Sequence, residues 1–448
     1  MLLYLVSFNL ARALVDPHLL GQTLLEGLPT RAQLPDVIVC SLQEVSPIAY
    51  AFLGGSYLTP YFDRVSRSVR VAAKKHADDE DAYRTVIQRS VGMTAIVVFA
   101  KPEFADRIRW IQTAGVGVGL WEMGNKGAVG VRLGLATHAD SDEEVEMTFV
   151  AAHLAPMEDA VKRRNEDWEN IVRNLIFEPA ADHAASKTAG ARAIESATSE
   201  RADEQEPLIS PSYASGAASA LHGLYSPTSH VFFAGDLNFR SRDTAPAPDD
   251  HHTFPQPASP EDSTKHFSRL LATDQLERER RAGRILHGFD ELPITFPPTY
   301  KYSTHHRPDP TSHPTPSPDQ TWAWAKHRWP SWCDRILFLP PAEPQSLKPL
   351  KYTSLPLLPS SDHQPVALAL SLSADAPLAP PTDPEDVRRR TAPFKPNPRW
   401  KQQRAAARQR EIVVGVLAYL ALTWEGNAVL VAMVLGAFGV GAMVKSFV

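Results

Sequence analysis

The sequence predicts an α+β domain in which two packed β-sheets carry helices on their outer faces, followed by a C-terminal membrane segment. Eight short apolar runs have the length of buried strands, whereas only two longer stretches have the periodicity of a helix. Strands and helices do not alternate regularly, which favours two stacked sheets over repeated βαβ units. The end of the chain is almost purely apolar, as a bilayer-spanning helix requires.

The predicted strands are apolar runs bounded by polar or turn-forming residues. The run Val231–Ala234 is followed by Gly235, which we expect to end the strand, and then by Asp236 and Asn238. The other runs are Leu2–Phe8, Val37–Leu42, Gly92–Ala100, Gly127–Leu133, Met147–Ala152, Arg335–Leu339 and Val366–Leu372.

Two stretches, Met157–Phe177 and Phe267–Arg281, have the pattern of helices that pack one apolar face. Residues 181–228 are rich in Ala, Ser and Glu without periodicity, so we predict a disordered insertion there. Residues 242–264 and 305–319 are predicted to be loops rich in Pro, His and Asp.

Composition excludes several classes of protein. A net charge of −5 argues against a general nucleic-acid binder, so no nucleic-acid partner is expected. The two cysteines, Cys40 and Cys333, make neither a disulfide framework nor a zinc cluster, which favours a reducing, cytosol-facing compartment. Met1–Leu10 is apolar but lacks the basic segment of a signal peptide.

Residues 373–410 are predicted to be a linker, first Pro-rich and then basic. Its segment Arg388–Arg410 carries nine Lys and Arg and no acidic residue. An anionic membrane surface is the partner that such a segment favours, at roughly 1 kcal/mol for each charge near the surface.

Residues 411–448 are predicted to anchor the chain in a membrane. The runs Ile412–Trp424 and Ala428–Val444 form either a single span or a hairpin broken at Glu425. The basic residues before the anchor favour a cytosolic position for the main domain, and the endoplasmic reticulum is the default membrane for a C-terminal anchor.

Polar residues lie where the predicted strands begin or end. Carboxylates and amides are the ligands that Mg²⁺ prefers, whereas no His or Cys residues have the spacing of a zinc site. Mg²⁺ in a cleft with carboxylates and imidazoles suits hydrolysis of a phosphate ester, because the metal neutralises phosphate charge and a carboxylate orients water. Alternatively, each residue closes a turn or caps a helix. The residues are Asn9, Glu44, His153, Asp236, Asn238, Asp334, Asp362 and His363.

Three motifs resemble those of the inositol polyphosphate 5-phosphatases, a family of the endonuclease/exonuclease/phosphatase superfamily. They are Gly-Asp-Leu-Asn-Phe-Arg (235–240), Pro-Ser-Trp-Cys-Asp-Arg-Ile-Leu (330–337) and Ser-Asp-His-Gln-Pro-Val (361–366). The resemblance spans residues 2–372 in family order. It implies a deoxyribonuclease-I-like, four-layer α/β/β/α sandwich of two mixed sheets, with residues 1–372 as the catalytic domain. Further matching segments are 43–44, 124–127, 153–155, 163–165 and 297–302.

The resemblance also implies roles for matching positions. Glu44, with Asn9, would hold Mg²⁺. Asp236 would orient or activate the attacking water, and Asn238 would help to hold the 5-phosphate. The other implied catalytic residues are His363, Asp334, His153 and Asp362, with His363 touching the phosphate and Asp334 fixing its ring. The implied substrate-binding residues are Asn125, Lys126, Tyr300, Lys301, Lys326 and Arg328, the last four around the neighbouring 4-phosphate.

The expected function is therefore Mg²⁺-dependent hydrolysis of the 5-phosphate of phosphoinositides such as phosphatidylinositol 4,5-bisphosphate at a cytosolic membrane face. Departures from the family pattern at Ala152, Met157, Phe233 and Trp329 remove no catalytic group, so they concern substrate preference and rate. One alternative is a phosphodiesterase that cleaves nucleic acid or sphingomyelin. Another is an inactive, membrane-tethered protein that binds phosphoinositide headgroups.

Overall fold

Two six-stranded sheets stack face to face in the computed structural model. Each sheet is mixed, because one pair of neighbouring strands is parallel and the other pairs are antiparallel. The strands are β1 Leu2–Asn9, β2 Val37–Gln43, β3 Arg84–Val91, β4 Thr94–Ala100, β5 Ile108–Gly117, β6 Gly127–Ala136, β7 Glu144–His153, β8 Glu178–Pro179, β9 Ser229–Asp236, β10 Asp334–Phe338, β11 Leu347–Ser354 and β12 Val366–Leu372. The residues described are 1–30, 33–180, 223–303, 321–388 and 393–446.

The order of strands is β11-β12-β1-β2-β4-β3 in the first sheet and β10-β9-β7-β6-β5-β8 in the second. Within β1, Leu3 and Leu5 face the second sheet and belong to the central core, whereas Tyr4 and Val6 face the outside of the sandwich. Side chains alternate in this way along any strand. Because both faces of β1 are covered, the run is apolar except for the buried Ser7.

Helices cover the outer faces and complete the predicted α/β/β/α sandwich. The outer helices are α1 Pro17–Thr23, α3 Thr59–Ala77, α5 Val161–Asn174 and α7 Gln275–Arg281. Three shorter helices lie elsewhere in the domain, α2 Ile48–Leu53, α4 Pro102–Ala105 and α6 Ser268–Leu271, and the last two pack against the central core. Helix α3 packs Val65 and Val69 on the first sheet, and α5 packs Trp168 and Ile171 on the second. The prediction of two packed sheets with helices outside is confirmed.

Two glycines correct the predicted strand bounds. Gly235 does not end its strand, because β9 stays paired with β7 as far as Asp236. A Cβ on Gly235 would lie 1.9 Å from the carbonyl oxygen of Ala152, so the close approach of β7 requires glycine. Gly92 lies in the turn before β4 instead of inside the strand, with the left-handed φ of 53° that glycine adopts easily.

Several elements were missing from the sequence prediction, namely β3, β5, β8, β11 and the helices α1 to α4. Strand β3 is only partly buried and carries Arg and Gln, so its apolar signal is weak. The predicted helix Phe267–Arg281 is broken into α6 and α7, because the Asp274 side chain accepts from the Glu277 N–H and caps a new helix. The predicted helix Met157–Phe177 is shorter, and α5 covers only its middle.

A disordered insertion is predicted over residues 181–228. Its residues 181–222 lie outside the described residues. Of its remaining part, Leu224 is buried in the core of the second sheet, and the Tyr225 ring packs edge-on against Trp168. The predicted loop 305–319 lies wholly outside the described residues.

Two further helices follow, α8 Trp400–Leu422 and α9 Trp424–Ser446. The predicted linker therefore stops being a linker at Trp400, since α8 begins there and buries Ala407 and Glu411 against the domain. Among the helices described, none alone has the length and apolar character needed to cross a bilayer. Helix α8 and the segment Trp424–Gly436 meet that requirement together, with a bend of 83° between them.

Candidate active site

The polar strand ends predicted from the sequence converge at one edge of the two sheets. Strands β1 and β2 are parallel, so Asn9 and Glu44 emerge at the same edge. Strands β7 and β9 are also parallel, and they end with His153 directly beside Asp236. Asp334 begins β10 opposite Asp236, because that pair is antiparallel.

The buried carboxylate of Asp236 lies at the centre of this cluster. Its Oδ2 accepts a hydrogen bond of 2.9 Å from Asn9 Nδ2 and lies 3.2 Å from His153 Nε2 and 3.9 Å from His363 Nε2. Burial alone would raise its pKa, but the hydrogen bond from His153 and the charges of His363 and Lys126 hold the pKa of Asp236 well below its ordinary value. Asp236 is therefore a carboxylate at neutral pH, well suited to orient a water molecule and weak as a proton acceptor.

His363 forms a buried pair with Asp334. Its Nδ1 donates to Asp334 Oδ2 over 2.9 Å, and the Thr299 hydroxyl donates to the same oxygen over 2.7 Å. Burial opposes the charged form, but the Asp334 and Asp236 carboxylates raise the pKa of His363 to about 9. The ring is therefore an imidazolium at neutral pH, with Nε2 on the side of Asp236.

Lys126 connects the two sheets at the same edge. Its Nζ contacts His153 Nε2 and lies 3.7 Å from Glu44 Oε1, whose partner oxygen Oε2 lies 3.1 Å from Arg12 Nε. Burial lowers the pKa of Lys126. Burial and the adjacent Lys126 charge also lower the pKa of His153, which is therefore neutral near pH 7.

The donor atoms at this edge fit a hard divalent cation, since most are oxygens. Asp236, Asp334 and His363 bring possible ligand atoms within 4.8 Å of one another, but a protonated His363 donates hydrogen bonds and does not ligate a metal. One buried oxygen of each of Asn125 and Asp334, in both cases Oδ1, has no hydrogen-bond donor among the described residues. The predicted ligand Asn9 uses its amide oxygen to accept from the Ala11 N–H.

A cationic group lies beside the His363 ring. Lys301 Nζ donates to Asp362 Oδ2 over 2.7 Å and lies 5.3 Å from the centre of the Tyr300 ring. The Tyr300 ring in turn lies 4.5 Å from the ring of His363. Partial burial of Lys301 opposes its positive charge, but the hydrogen bond to Asp362 raises the pKa of Lys301. Lys301 is thus a fixed positive charge next to the Asp236 cluster.

Asn238 differs from the expectation that it faces the cleft beside Asp236. That expectation assumed an extended segment, but Asn238 has a left-handed φ of 57°. Its amide donates to the Leu154 carbonyl over 3.1 Å and accepts from Arg240 Nη2 over 2.5 Å. The side chain therefore supports the loop after β9, and its contact with a phosphate stays a prediction.

Arg240 and Thr299 belong to the site but had no role in the sequence reasoning. Arg240 is buried, with its guanidinium 4.5 Å from the centre of the Tyr300 ring, and Thr299 donates to Asp334. Both lie inside the recognised motifs, so their position beside Asn238 and Tyr300 was the available signal.

The remaining predicted substrate residues lie around this centre. Asn125 is next to Lys126, and its Oδ1 fills the space that a Cβ on Gly119 would occupy. Lys326 is exposed, and Arg328 lies 3.7 Å from Glu158 on a neighbouring loop. The proposed contact of Lys326 and Arg328 with a 4-phosphate stays a prediction.

Comparisons with known proteins identify the family and the fold of the chain. The model of the family described as Endonuclease/Exonuclease/phosphatase family 2 matches residues 6–369. The chain belongs to this family. Family 2 membership confirms the resemblance seen in the three motifs, and it covers every predicted site residue of the chain.

Two relatives of this chain carry the name of a 5-phosphatase. The zebrafish (Danio rerio) phosphatidylinositol 3,4,5-trisphosphate 5-phosphatase 2B is 28% identical over 264 residues, covering 57% of this chain and 16% of the relative. The mouse (Mus musculus) type II inositol 1,4,5-trisphosphate 5-phosphatase is 28% identical over 339 residues, covering 75% and 26%. The chain therefore spans about a quarter or less of the length of these two relatives.

A solved structure shares the fold. It is the inositol polyphosphate 5-phosphatase domain of SpSynaptojanin in complex with inositol (1,4)-bisphosphate and a calcium ion. The TM-score is 0.55 at 20% identity, covering 92% of this chain and 91% of that domain. This likeness confirms the deoxyribonuclease-I-like sandwich of two mixed sheets.

Proposed function

We propose that this protein hydrolyses the 5-phosphate of phosphoinositides such as phosphatidylinositol 4,5-bisphosphate. The observation that carries the proposal is the buried cluster of Asp236, His153 and the His363–Asp334 pair, with the cationic Lys301 beside it. The names of the two relatives support a 5-phosphatase over other activities of this family.

In this reaction water attacks phosphorus and the bond from phosphorus to the inositol 5-oxygen breaks, which releases inorganic phosphate. Asp236 would orient the water, because its low pKa keeps it ionised. The His363 imidazolium would donate a hydrogen bond to a phosphate oxygen, where charge has to be stabilised as the reaction proceeds. Neutral His153 would hold the Asp236 carboxylate in place, with its Nε2 3.2 Å from Oδ2.

Mg²⁺ is the proposed cofactor, held by Glu44 with Asn9 at the ends of β2 and β1. When bound, it would neutralise charge on the phosphate. The position of these two residues at one edge, beside Asp236, and the oxygen-rich donor set support this assignment. Asn9 would need its amide turned relative to the hydrogen bonds described above, since its oxygen now accepts from the backbone.

Selectivity for a substrate with adjacent phosphates would come from Lys301 with Tyr300, and from Lys326 and Arg328 on the neighbouring loop. A second phosphate next to the scissile one needs a cation in a fixed position. Lys301 satisfies this requirement, because Asp362 holds its ammonium group in place.

Release of inorganic phosphate from vesicles that contain phosphatidylinositol 4,5-bisphosphate tests the proposal. The variants Asp236→Ala and His363→Ala should lose at least about 100-fold in kcat/KM, since each removes a group from the reacting centre. Asp106→Ala and His252→Ala are matched controls, because both residues are exposed and lie outside the site. Equal rates for all five proteins would refute the proposed function.

The same assay separates the two alternatives. A phosphodiesterase would cleave sphingomyelin or nucleic acid, leave the monoester intact and tolerate Lys301→Met. A pure headgroup binder would retain phosphoinositide on vesicles without releasing phosphate and without needing Mg²⁺. The internal pairing of Asp236 with two histidines favours catalysis, because a binding site for anions gains nothing from a buried carboxylate.

We also propose that α8 and α9 anchor the protein in a membrane, with the catalytic domain in the cytosol. Large apolar side chains on these helices are exposed, among them Leu417, Leu422 and Trp424, at 62%, 73% and 77%. Such exposure is costly in water and supports burial in lipid. Flotation of the full chain with liposomes tests this, against a chain that ends at Arg410. Equal flotation of the two would contradict the anchor.

A further inference from the structure

The predicted membrane anchor begins with a buried carboxylate, Glu411. Among the described residues, its bonded partner outside its own helix is the backbone of Gly124, in the loop that carries Lys126 into the active site. Glu411 has 0% exposure although it sits in the middle of α8. Its Oε1 accepts a hydrogen bond of 2.8 Å from the backbone N–H of Gly124, 287 positions earlier in the chain. A buried carboxylate is costly unless it is paired, so a specific interaction holds it there.

Glu411 is paired within its helix as well. Arg404 donates to both of its oxygens, over 2.7 and 3.2 Å, and Arg408 lies 3.6 Å from Oε2. Arg408 also donates to the carbonyls of Phe52 and Leu53 at the end of α2, over 2.5 and 3.1 Å. These contacts fix α8 on the domain surface, so the position of Glu411 is determined on two sides.

Gly124 is the start of the loop that carries Asn125 and Lys126 into the site. Its carbonyl accepts from the Met93 N–H over 2.8 Å, while its own N–H donates to Glu411. Gly124 also packs tightly against Gly92. A Cβ on Gly92 would lie only 2.2 Å from the Gly124 carbonyl oxygen. The loop is therefore held between the turn before β4 and α8, and Lys126 follows two residues later.

We propose that Glu411 is a positioning residue: through the Gly124 N–H it holds the 124–126 loop so that Lys126 meets His153 and Glu44. The expected effect of Glu411 on catalysis rests on the proposed function, whereas the contact between Glu411 and the Gly124 N–H does not. Helix α8 then supports a loop of the catalytic site in addition to its proposed role in the anchor. Its apolar residues Val413 and Leu417 follow within about 9 Å of Glu411 along the helix axis, at 1.5 Å per residue, so the anchor and the loop share one rigid element.

Amide hydrogen exchange of the full chain in detergent tests the contact without any assumption about activity. In Glu411→Ala the Gly124 N–H loses its acceptor, so its exchange should accelerate about tenfold or more. Glu411→Gln should retain most of the protection, because the Gln carbonyl oxygen can still accept. Gln409→Ala is the matched control, since Gln409 lies on the same helix and is exposed. Unchanged exchange in Glu411→Ala would overturn the proposal.

Kinetics with soluble inositol 1,4,5-trisphosphate, well below the melting temperature, tests the positioning role. Glu411→Ala should lower kcat about tenfold with little change in KM, because Lys126 lies at the reacting centre and not at the 4-phosphate. Glu411→Gln should restore most of kcat, and Gln409→Ala should match the wild type. A merely structural role would lower stability but leave kcat unchanged at low temperature. Faster exchange with unchanged kcat would overturn positioning.

Failure of the proposed 5-phosphatase function can be distinguished from failure of the positioning role of Glu411. A wild-type protein that releases no phosphate from any inositol phosphate refutes the 5-phosphatase activity, whatever the exchange data show. In that case the affinity for inositol 1,4,5-trisphosphate, measured by calorimetry, replaces kcat as the readout of the loop. An affinity unchanged by Glu411→Ala would then count against positioning, and a fall of about tenfold would support it.

Discussion

Replacing Asp334 by Asn removes one charge from the centre of the site with almost no change in shape. The buried Asp334 carboxylate accepts from His363 Nδ1 over 2.9 Å and from the Thr299 hydroxyl over 2.7 Å. Burial alone would lower the pKa of His363, and the carboxylates of Asp334 and Asp236 raise it to about 9. Without the Asp334 charge, burial has the larger effect, and we expect the pKa to fall below the ordinary value of about 6.5.

The size of the effect follows from that shift. A fall from about 9 to about 6.5 corresponds to roughly 3 kcal/mol of lost preference for the imidazolium. At pH 7.5 the charged fraction of His363 then drops from nearly all to about a tenth or less. If the imidazolium stabilises the phosphate in the transition state, kcat at pH 7.5 should fall about tenfold or more, in proportion to the charged fraction. Because the lost form is the protonated one, the ratio of variant to wild-type kcat should rise as the pH is lowered towards 6.

Two measurements check this prediction. Carbon-13 NMR of labelled histidine gives the pKa of His363 in each protein, and phosphate release from inositol 1,4,5-trisphosphate gives kcat. Thr299→Val is the control, since it removes one hydrogen bond to Asp334 but keeps the charge. A His363 pKa that stays near 9 in Asp334→Asn, or a kcat within about threefold of the wild type, would refute the reasoning.

Three further predictions address stability, selectivity and the metal. Burial and the Arg388 charge lower the pKa of buried His230 to about 4. Because His230 binds a proton more readily in the unfolded chain, the free energy of unfolding should fall by roughly 3 kcal/mol as the pH drops from about 6.5 towards 4. His230→Phe should remove that loss in urea unfolding at pH 7.5 and 4.5, and equal acid sensitivity of both proteins would contradict this. Lys301→Met should raise KM about tenfold for substrates with a 4-phosphate and little for those without it, and an equal rise for both would exclude a 4-phosphate contact. Glu44→Gln should raise the Mg²⁺ concentration for half-maximal activity about tenfold, and an unchanged requirement would place the ion elsewhere.

The strands with two buried faces could be read from the sequence. Val366–Leu372 begins and ends where the apolar run predicted, and Leu2–Phe8 extends by one residue to Asn9. Burial of both faces makes the run continuous, so that strand length and strand end are both visible. The polar residues that follow such runs, Asp236 and His153 among them, were therefore identifiable as a group.

Elements that are only partly buried escaped prediction. The pattern of α3 was present in Tyr61, Phe62, Val65 and Val69, spaced as on one helix face, but polar residues between them diluted it. The conformation of Asn238 could not be predicted either, because its left-handed backbone depends on Leu154 and Arg240, which the fold brings to it.

The sequence by itself determined the family, the strands of the core and the chemical character of the site, because each is written in short runs of residues. The tertiary structure alone decided which atoms meet. Asn9 reaches Asp236 across 227 positions, and Glu411 reaches Gly124 across 287. Such contacts depend on the pairing and stacking of whole sheets and on the docking of a helix, and local periodicity contains no information on either.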